Sequence, residues 1–371
     1  MSETGCDDGG SPTLMPRLSR RWLGACALAV GAWLVTASDG AAQDRRIRTG
    51  TGVPLQVKRL YADALQYLVK TQSLQGTWSS SHGQGPGITG ICCLTFLSVG
   101  EDPNFGAYAE PLRKGFRAIL RQQNSRTGLF SQGGGSSHSS MYEQGFATLA
   151  IAEAYGAIDD RMLWAGSDTK APRTLGQALE LAVGAIITSQ DQNPHSAWRY
   201  GPTAKDNDTS VSGACFVALL AARNAGIEVP DANIDKALKY YQQATMKDGT
   251  VMYTLGMGGM GMDSLARSSI CSLVYALAKR KETEIHRSTV QYLSENVESP
   301  ISGWPWYTRY YMAQALFQGD FESWQKWNEI NTESLEEQVH EDGSIAGNVY
   351  STGMALLSMA LNYRFLPIYE R

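Results

Sequence analysis

Two kinds of helical stretch alternate along this chain. The first is amphipathic. Between residues 55 and 72, Leu65, Leu68 and Val69 recur at i, i+3 and i+4, while Lys58, Arg59, Asp63 and Lys70 fall on other faces. The second is small or apolar on most faces, as in Ile91-Cys92-Cys93-Leu94-Thr95-Phe96-Leu97 and Gly213-Ala214-Cys215-Phe216-Val217-Ala218-Leu219-Leu220-Ala221-Ala222. A helix of the first kind covers a core, and one of the second kind lies inside it. The pattern predicts amphipathic helices over 55–72, 109–123, 172–190, 231–244, 283–297 and 321–340. Buried helices alternate with them over 87–99, 140–156, 208–225, 262–280, 304–318 and 347–366.

The joints repeat too. An apolar stretch ending in Gln, a Gly-aromatic turn and a second apolar stretch recur about six times, the signature of an array of helical hairpins. The clearest copy runs from Ala64 through Gln72 and Gly76 to Trp78. Gly76, Gly128, Gly249, Gly303 and Gly343 each follow an amphipathic helix, and Lys247-Asp248-Gly249 and Glu341-Asp342-Gly343 are tight-turn sequences. The third joint, Asp191 to Asn207, is long and holds His195, Trp198 and Tyr200, and Asp208-Thr209-Ser210 can cap the helix after it. With the buried helices as an inner ring and the amphipathic ones as an outer ring, the array closes into an all-α, α/α toroid of about six hairpins, and closure removes the need for capping repeats.

Composition supplies the core and narrows the partners. Of 371 residues, 43% are apolar and 18% charged, and the net charge of -4 argues against a nucleic-acid surface. Arg17, Arg20 and Arg21 precede an apolar run from Trp22 to Thr36, and Gly40-Ala41-Ala42 offers a small-residue cleavage site. The run is shorter than the ~20 residues of a spanning helix. Residues 1–42 therefore read as a cleaved signal peptide, with an uncleaved N-terminal anchor as the alternative, and the protein is expected to be periplasmic or secreted. Leu23-Gly24-Ala25-Cys26 precedes its apolar run instead of following it, so lipidation is discounted. Residues 43–54 form a polar lead-in, and 55–371 form the toroid. Cys92, Cys93, Cys215 and Cys271 sit inside apolar stretches and read as buried thiols. Their spacing matches no zinc framework.

Gln72, three residues, Gly76, one residue and Trp78 resemble the QW signature of squalene and oxidosqualene cyclases. Gln123 to Gly128-Leu129-Phe130, Gln243 to Gly249, and Gly303-Trp304 are degenerate copies. Tyr310 to Gln318 and Tyr350 to Leu356 are similar to repeats of exported bacterial members of the wider prenyltransferase/squalene oxidase repeat superfamily. The resemblance covers residues 55–371 and implies the toroid. The Gln and Trp of each joint can be purely structural, the Gln bonding a neighbouring backbone and the Trp packing beneath it.

The chemistry that the resemblance implies can be checked against residues. Cyclases of this kind keep a protonated carboxyl in a dry cavity, in an Asp-x-Asp-Asp-Thr motif opening an inner helix. The matching segment here is Lys205-Asp206-Asn207-Asp208-Thr209, so Lys205 and Asn207 stand at the first and central Asp. Asn cannot protonate carbon. Asp206, Asp208 and Glu143 remain as candidate catalytic carboxylates. Protein prenyltransferases hold zinc with Asp, Cys and His; Ser269, Cys271 and Ser351 stand there, so no zinc site of that type is expected. In the thioester toroids a reactive Cys precedes Glu-Gln, but here Met141 precedes Tyr142-Glu143-Gln144. His82, His138 and His195 all lie on joints and could meet at one rim, though separate solvated loop histidines are the simpler reading. Met257 to Met262 reads as a glycine-rich connector, with a mobile lid as the alternative.

What is left is the mouth where the inner helices begin. Tyr142, Glu143, Asp208, Arg267, Trp306, Tyr307, Arg309 and Tyr350 are expected to line it, aromatics with a few charges being suited to orienting a ligand. The functional expectation is an exported toroid that binds an apolar ligand or a protein partner, with no cofactor and without the family's catalytic motifs. Its partner would be an isoprenoid-like lipid, a glycan or a protein. One alternative is a divergent isoprenoid cyclase or transferase. The other is a glycan-active enzyme with carboxylates about 5–10 Å apart.

Overall fold

A computed structural model describes residues 52–80, 83–130, 140–166, 173–256 and 264–370. The chain divides into Met1–Gln43 and Asp44–Arg371, and the description concerns the second unit. The expected signal or anchor, His82, His138 and the Met257–Met262 connector lie outside the described residues. No helix among the described residues is long and apolar enough to cross a membrane.

The outer helices are α1 (Leu55–Thr71), α3 (Ala109–Arg121), α6 (Leu175–Gln192), α8 (Asp231–Ala244), α10 (Glu284–Glu295) and α12 (Phe321–Glu336). The inner helices are α2 (Pro86–Ser98), α4 (Ser140–Ala154), α7 (Thr209–Asn224), α9 (Ser264–Leu277), α11 (Pro305–Gly319) and α13 (Val349–Met359). A short α5 (Asp160–Leu163), capped by the Asp159 side chain, was not foreseen. The last inner helix was expected to reach 366, but it ends at Met359 and continues as a 3-10 turn over Ala360–Asn362. The strands β1 (Ser79–Ser80) and β2 (Gly83–Gln84) form a small antiparallel pair.

Each inner helix packs on the next, and α13 packs back on α2, so the inner ring is closed. Every residue of α2 is buried, as expected for a helix apolar all round. The pairing of hairpins differs from the expectation. Each outer helix lies mainly on the inner helix before it, and α1 lies mainly on α13. The first outer helix thus completes the last repeat, and the Tyr61 hydroxyl fastens this seam by donating to the Leu356 carbonyl.

The joints explain the recurrent Gln. Gln72 Nε2 donates to Gly76 O in its own turn at 3.1 Å and to Pro111 O of the next outer helix at 2.9 Å. Gln123 does the same with Gly128 O and Ala178 O, and Gln190 with Ser196 O and Asn233 O. The indoles of Trp78 and Trp198 donate back to Leu68 O at 2.7 Å and Ile186 O at 2.9 Å. Gln243 is exposed and holds nothing comparable. The turn glycines press on the next outer helix as well: a Cβ at Gly76 or Gly128 would meet Lys114 O at 2.3 Å or Leu181 O at 2.0 Å. At the seam a Cβ on Gly343 would meet Asp63 O at 2.6 Å, so the last turn grips the first helix.

The end of the ring formed by the inner-helix C-termini is stoppered by the chain's tail. Ile368 N donates to Glu153 of α4 at 3.1 Å, and Gln318 of α11 donates to Tyr369 O at 3.1 Å. Leu366, Ile368 and Tyr369 are all buried. Cys92, Cys93, Cys215 and Cys271 are buried and in no disulfide, and burial pushes the Cys271 thiol up to about 12.

Candidate functional site

The inner-helix N-termini carry the carboxylates. Asp208 caps α7: its Oδ1 accepts from Ser210 N at 2.7 Å and Val211 N at 3.1 Å. The residue is 1% exposed, and Oδ2 makes no hydrogen bond of good geometry. Burial raises its pKa, with the Tyr253 hydroxyl, the two backbone N–H groups and Arg199 opposing the shift. Tyr253 and Tyr200 share a hydrogen bond of 2.9 Å, and the Arg199 guanidinium lies over both rings.

Its two sequence neighbours are placed differently. Asn207 is buried, and its Oδ1 accepts from the Tyr240 hydroxyl at 3.1 Å and from Leu255 N at 2.8 Å. Asn207 is therefore an amide committed to holding a loop. The Asp206 side chain is 66% exposed and pairs with Arg199 Nε at 3.3 Å, so its carboxylate is turned to solvent.

Glu143 caps a neighbouring helix. It accepts from Gly87 N at the start of α2, whose own N-cap, Gly85, has no side chain. A Cβ at Gly85 would come within 2.4 Å of the Glu143 carboxylate, so the glycine makes room for it. Burial raises its pKa against that hydrogen bond. The next residue, Gln144, is committed to the frame, accepting from Phe130 N at 2.8 Å and donating to Ala182 O at 3.2 Å.

Tyrosines join α4 and α11, the second and fifth inner helices, across the ring. Tyr142 and Tyr307 meet edge-on at 5.9 Å, and Phe146 reaches Tyr307 at 6.5 Å and Tyr310 at 6.0 Å. Tyr311 packs against both Tyr307 and Tyr310 at 4.7 Å, and the Tyr307 hydroxyl donates to Ser210 O of α7 at 2.8 Å. Tyr307, Tyr310 and Tyr311 are buried, while Tyr142, Tyr200 and Tyr253 above them are half-buried. Among the described residues, the axis is thus packed beneath a mouth walled by tyrosines.

The other expected residues divide. Trp306 and Tyr350 line a pocket of ≈ 280 Å³ between the first turns of α11 and α13. Trp304 lines it too and was not singled out as a site residue; the sequence signal was a Trp between a turn glycine and a proline. Arg309 lies over the Trp306 ring at 5.9 Å and donates to Asn331 and, at 2.9 Å, to Ser334 of α12. Arg267 Nε holds Val251 O at 2.8 Å in the joint before α9. Ser269 donates back to Leu265 O at 2.6 Å, and Ser351 N is capped by Asn348 at 2.9 Å. His195 is exposed. Among the described residues, no group of His, Cys, Asp and Glu is placed to hold a metal ion.

No protein-family model and no curated protein matches the chain. Solved structures do. The apo form of the type II terpene cyclase MstE from Scytonema is 13% identical, covers 84% of this chain and 99% of its own, and has a TM-score of 0.57. An Asp-to-Asn variant of that enzyme with its substrate, geranylgeranyl dihydroxybenzoate, is 12% identical, with 84% and 98% covered and a TM-score of 0.56. A protein from Actinoplanes is 12% identical, with 83% and 99% covered and a TM-score of 0.52. The chain thus has the α/α-toroid fold that these terpene cyclase structures share.

Proposed function

We propose that this protein is an exported recognition toroid. It binds a ligand or partner at the mouth formed by the inner-helix N-termini and does not run the alkene-protonating chemistry of type II cyclases. The observation that carries this reading is the packed axis. Tyr142 and Phe146 of α4 touch Tyr307 and Tyr310 of α11 directly, which leaves no passage between them for a long polyprenyl chain. The engagement of Asn207 by Tyr240 and Leu255 supports it from the catalytic side.

The test is incubation of the purified protein with geranylgeranyl dihydroxybenzoate, followed by mass spectrometry of the lipid extract. The expected outcome is unchanged compound and no co-purifying isoprenoid. A cyclised product would sink the reading. A second reading, a divergent enzyme using Asp208, has one observation in its favour: a carboxyl buried beneath Tyr253 whose pKa burial raises although that hydroxyl opposes the shift. It requires that any turnover disappear in Asp208→Asn while the fold persists.

A further inference from the structure

We propose that the pocket between the first turns of α11 and α13 binds one pyranose ring of a glycan, with Trp304 as its stacking platform. This rests on the mouth being a binding surface and adds the class of ligand. One wall of the ≈ 280 Å³ pocket is Trp304, Pro305 and Trp306, and the other is Ala346, Asn348 and Tyr350.

The backbone is strained to build it. Trp304 is 73% exposed, and its φ of 32° and ψ of 51° lie in the left-handed region. That region is unfavourable for a bulky residue and is disfavoured again before a proline. Ala346 on the facing wall has a φ of 53°. Only Ser196, Lys279 and Arg364 share this feature among the other described non-glycine residues, so two of five such positions flank one small pocket. Strain of this kind concentrates at ligand sites, and here it holds an indole out in water.

The shape and chemistry of the walls select the ligand. A pyranose has an apolar C–H face and a hydroxyl rim. The aromatic wall suits the face; on the other wall the Asn348 amide is engaged by Ala346 O and Ser351, so the Ser351 and Tyr350 hydroxyl groups are the ones offered to the rim. The N-cap residue of α11 supplies no side-chain acceptor, so first-turn N–H groups there remain for hydroxyl oxygens. A quaternary ammonium would instead meet the positive ends of two helices with no carboxylate in the lining. A polyproline segment needs an open groove several residues long, not a pocket the size of one ring.

The test uses the purified chain with cellohexaose, maltohexaose and chitohexaose, read by tryptophan fluorescence and saturation-transfer NMR. At least one oligosaccharide should bind. Trp304→Ala should weaken it roughly tenfold or more, as truncating a central aromatic anchor does, with little change in Tm. Trp304→Gly should lose the same binding yet raise Tm, because glycine takes the left-handed conformation without strain. No binding by any of the three, or equal binding to Trp304→Ala, overturns the proposal. Choline and polyproline run alongside. A Trp304-dependent response to either, with the sugars silent, removes the glycan and leaves the mouth as a binding surface. Silence from every probe counts against both.

Discussion

Gly128→Ala isolates the grip that one repeat has on the next. Gly128 has a φ of +72°, and a Cβ there would stand 2.0 Å from Leu181 O, a backbone atom that cannot swing aside. Gly156 has a φ of +88°, but a Cβ there would meet nothing within 4 Å. Both substitutions force an alanine into the left-handed region, at about 1–2 kcal/mol, and both gain the same small entropic benefit in the unfolded chain. Only the first must also push α6 away. Overpacking of this kind costs about 1–3 kcal/mol. It also pulls on Gln123, which bonds Gly128 O and Ala178 O of α6 together. Urea unfolding followed by circular dichroism should therefore show Gly128→Ala less stable than Gly156→Ala by roughly 1–3 kcal/mol. Equal losses would mean that the turn does not clamp the neighbouring helix and that the close approach carries no energy.

Three further outcomes follow from the same contacts. Trp78→Phe keeps the buried ring but leaves Leu68 O only the longer bond of 3.3 Å from the Thr71 hydroxyl, and it should cost about 1 kcal/mol in urea unfolding; no loss would remove the indole from the joint. Burial raises the pKa of Glu143 and Asp208, so their contribution is fully present below the unfolded carboxylate range, about 4, and fades as pH rises through the folded values. The stability of the wild type relative to Glu143→Gln or Asp208→Asn should therefore fall from pH 4 upward and then level, and a rise instead would mean that the helix N-termini outweigh desolvation. Deleting the tail from Leu366 removes three buried side chains worth about 1.5–3 kcal/mol each and opens the ring's lower end. The truncated chain should be less stable and should bind an apolar dye; unchanged dye binding would show that the tail is not a stopper.

The ring was legible because its signal is long and redundant. Each inner helix is apolar on nearly all faces, and Gly76, Gly128, Gly249 and Gly343 mark joints where the left-handed region is occupied. The pairing of helices was not legible. Amphipathicity says that α3 covers a core without saying whether α2 or α4 lies beneath it, and only the packing of the folded chain places it on α2. The mouth was read in part. Aromatic residues early on inner helices flagged Tyr142, Tyr307 and Tyr350. The partners of a long side chain are not listed in order by the sequence, so the bonds of Arg309 to Asn331, 22 residues on, and to Ser334 of α12 were not legible, although its guanidinium stays over Trp306. Trp304 was read as a degenerate copy of the joint motif, whose Trp packs beneath the turn, and its 73% exposure is what sets it apart from Trp78 and Trp198.

Whether tyrosines pack the ring's axis is measured by Tyr311→Ala. Tyr311 is buried and touches both Tyr307 and Tyr310. Truncating a large aromatic in a packed core costs about 3–5 kcal/mol and leaves an apolar cavity. Urea unfolding should show a loss of that size, together with new binding of small apolar probes such as benzene. A loss below about 1 kcal/mol with no new binding would mean that Tyr311 lines a space already open and that the axis is not packed.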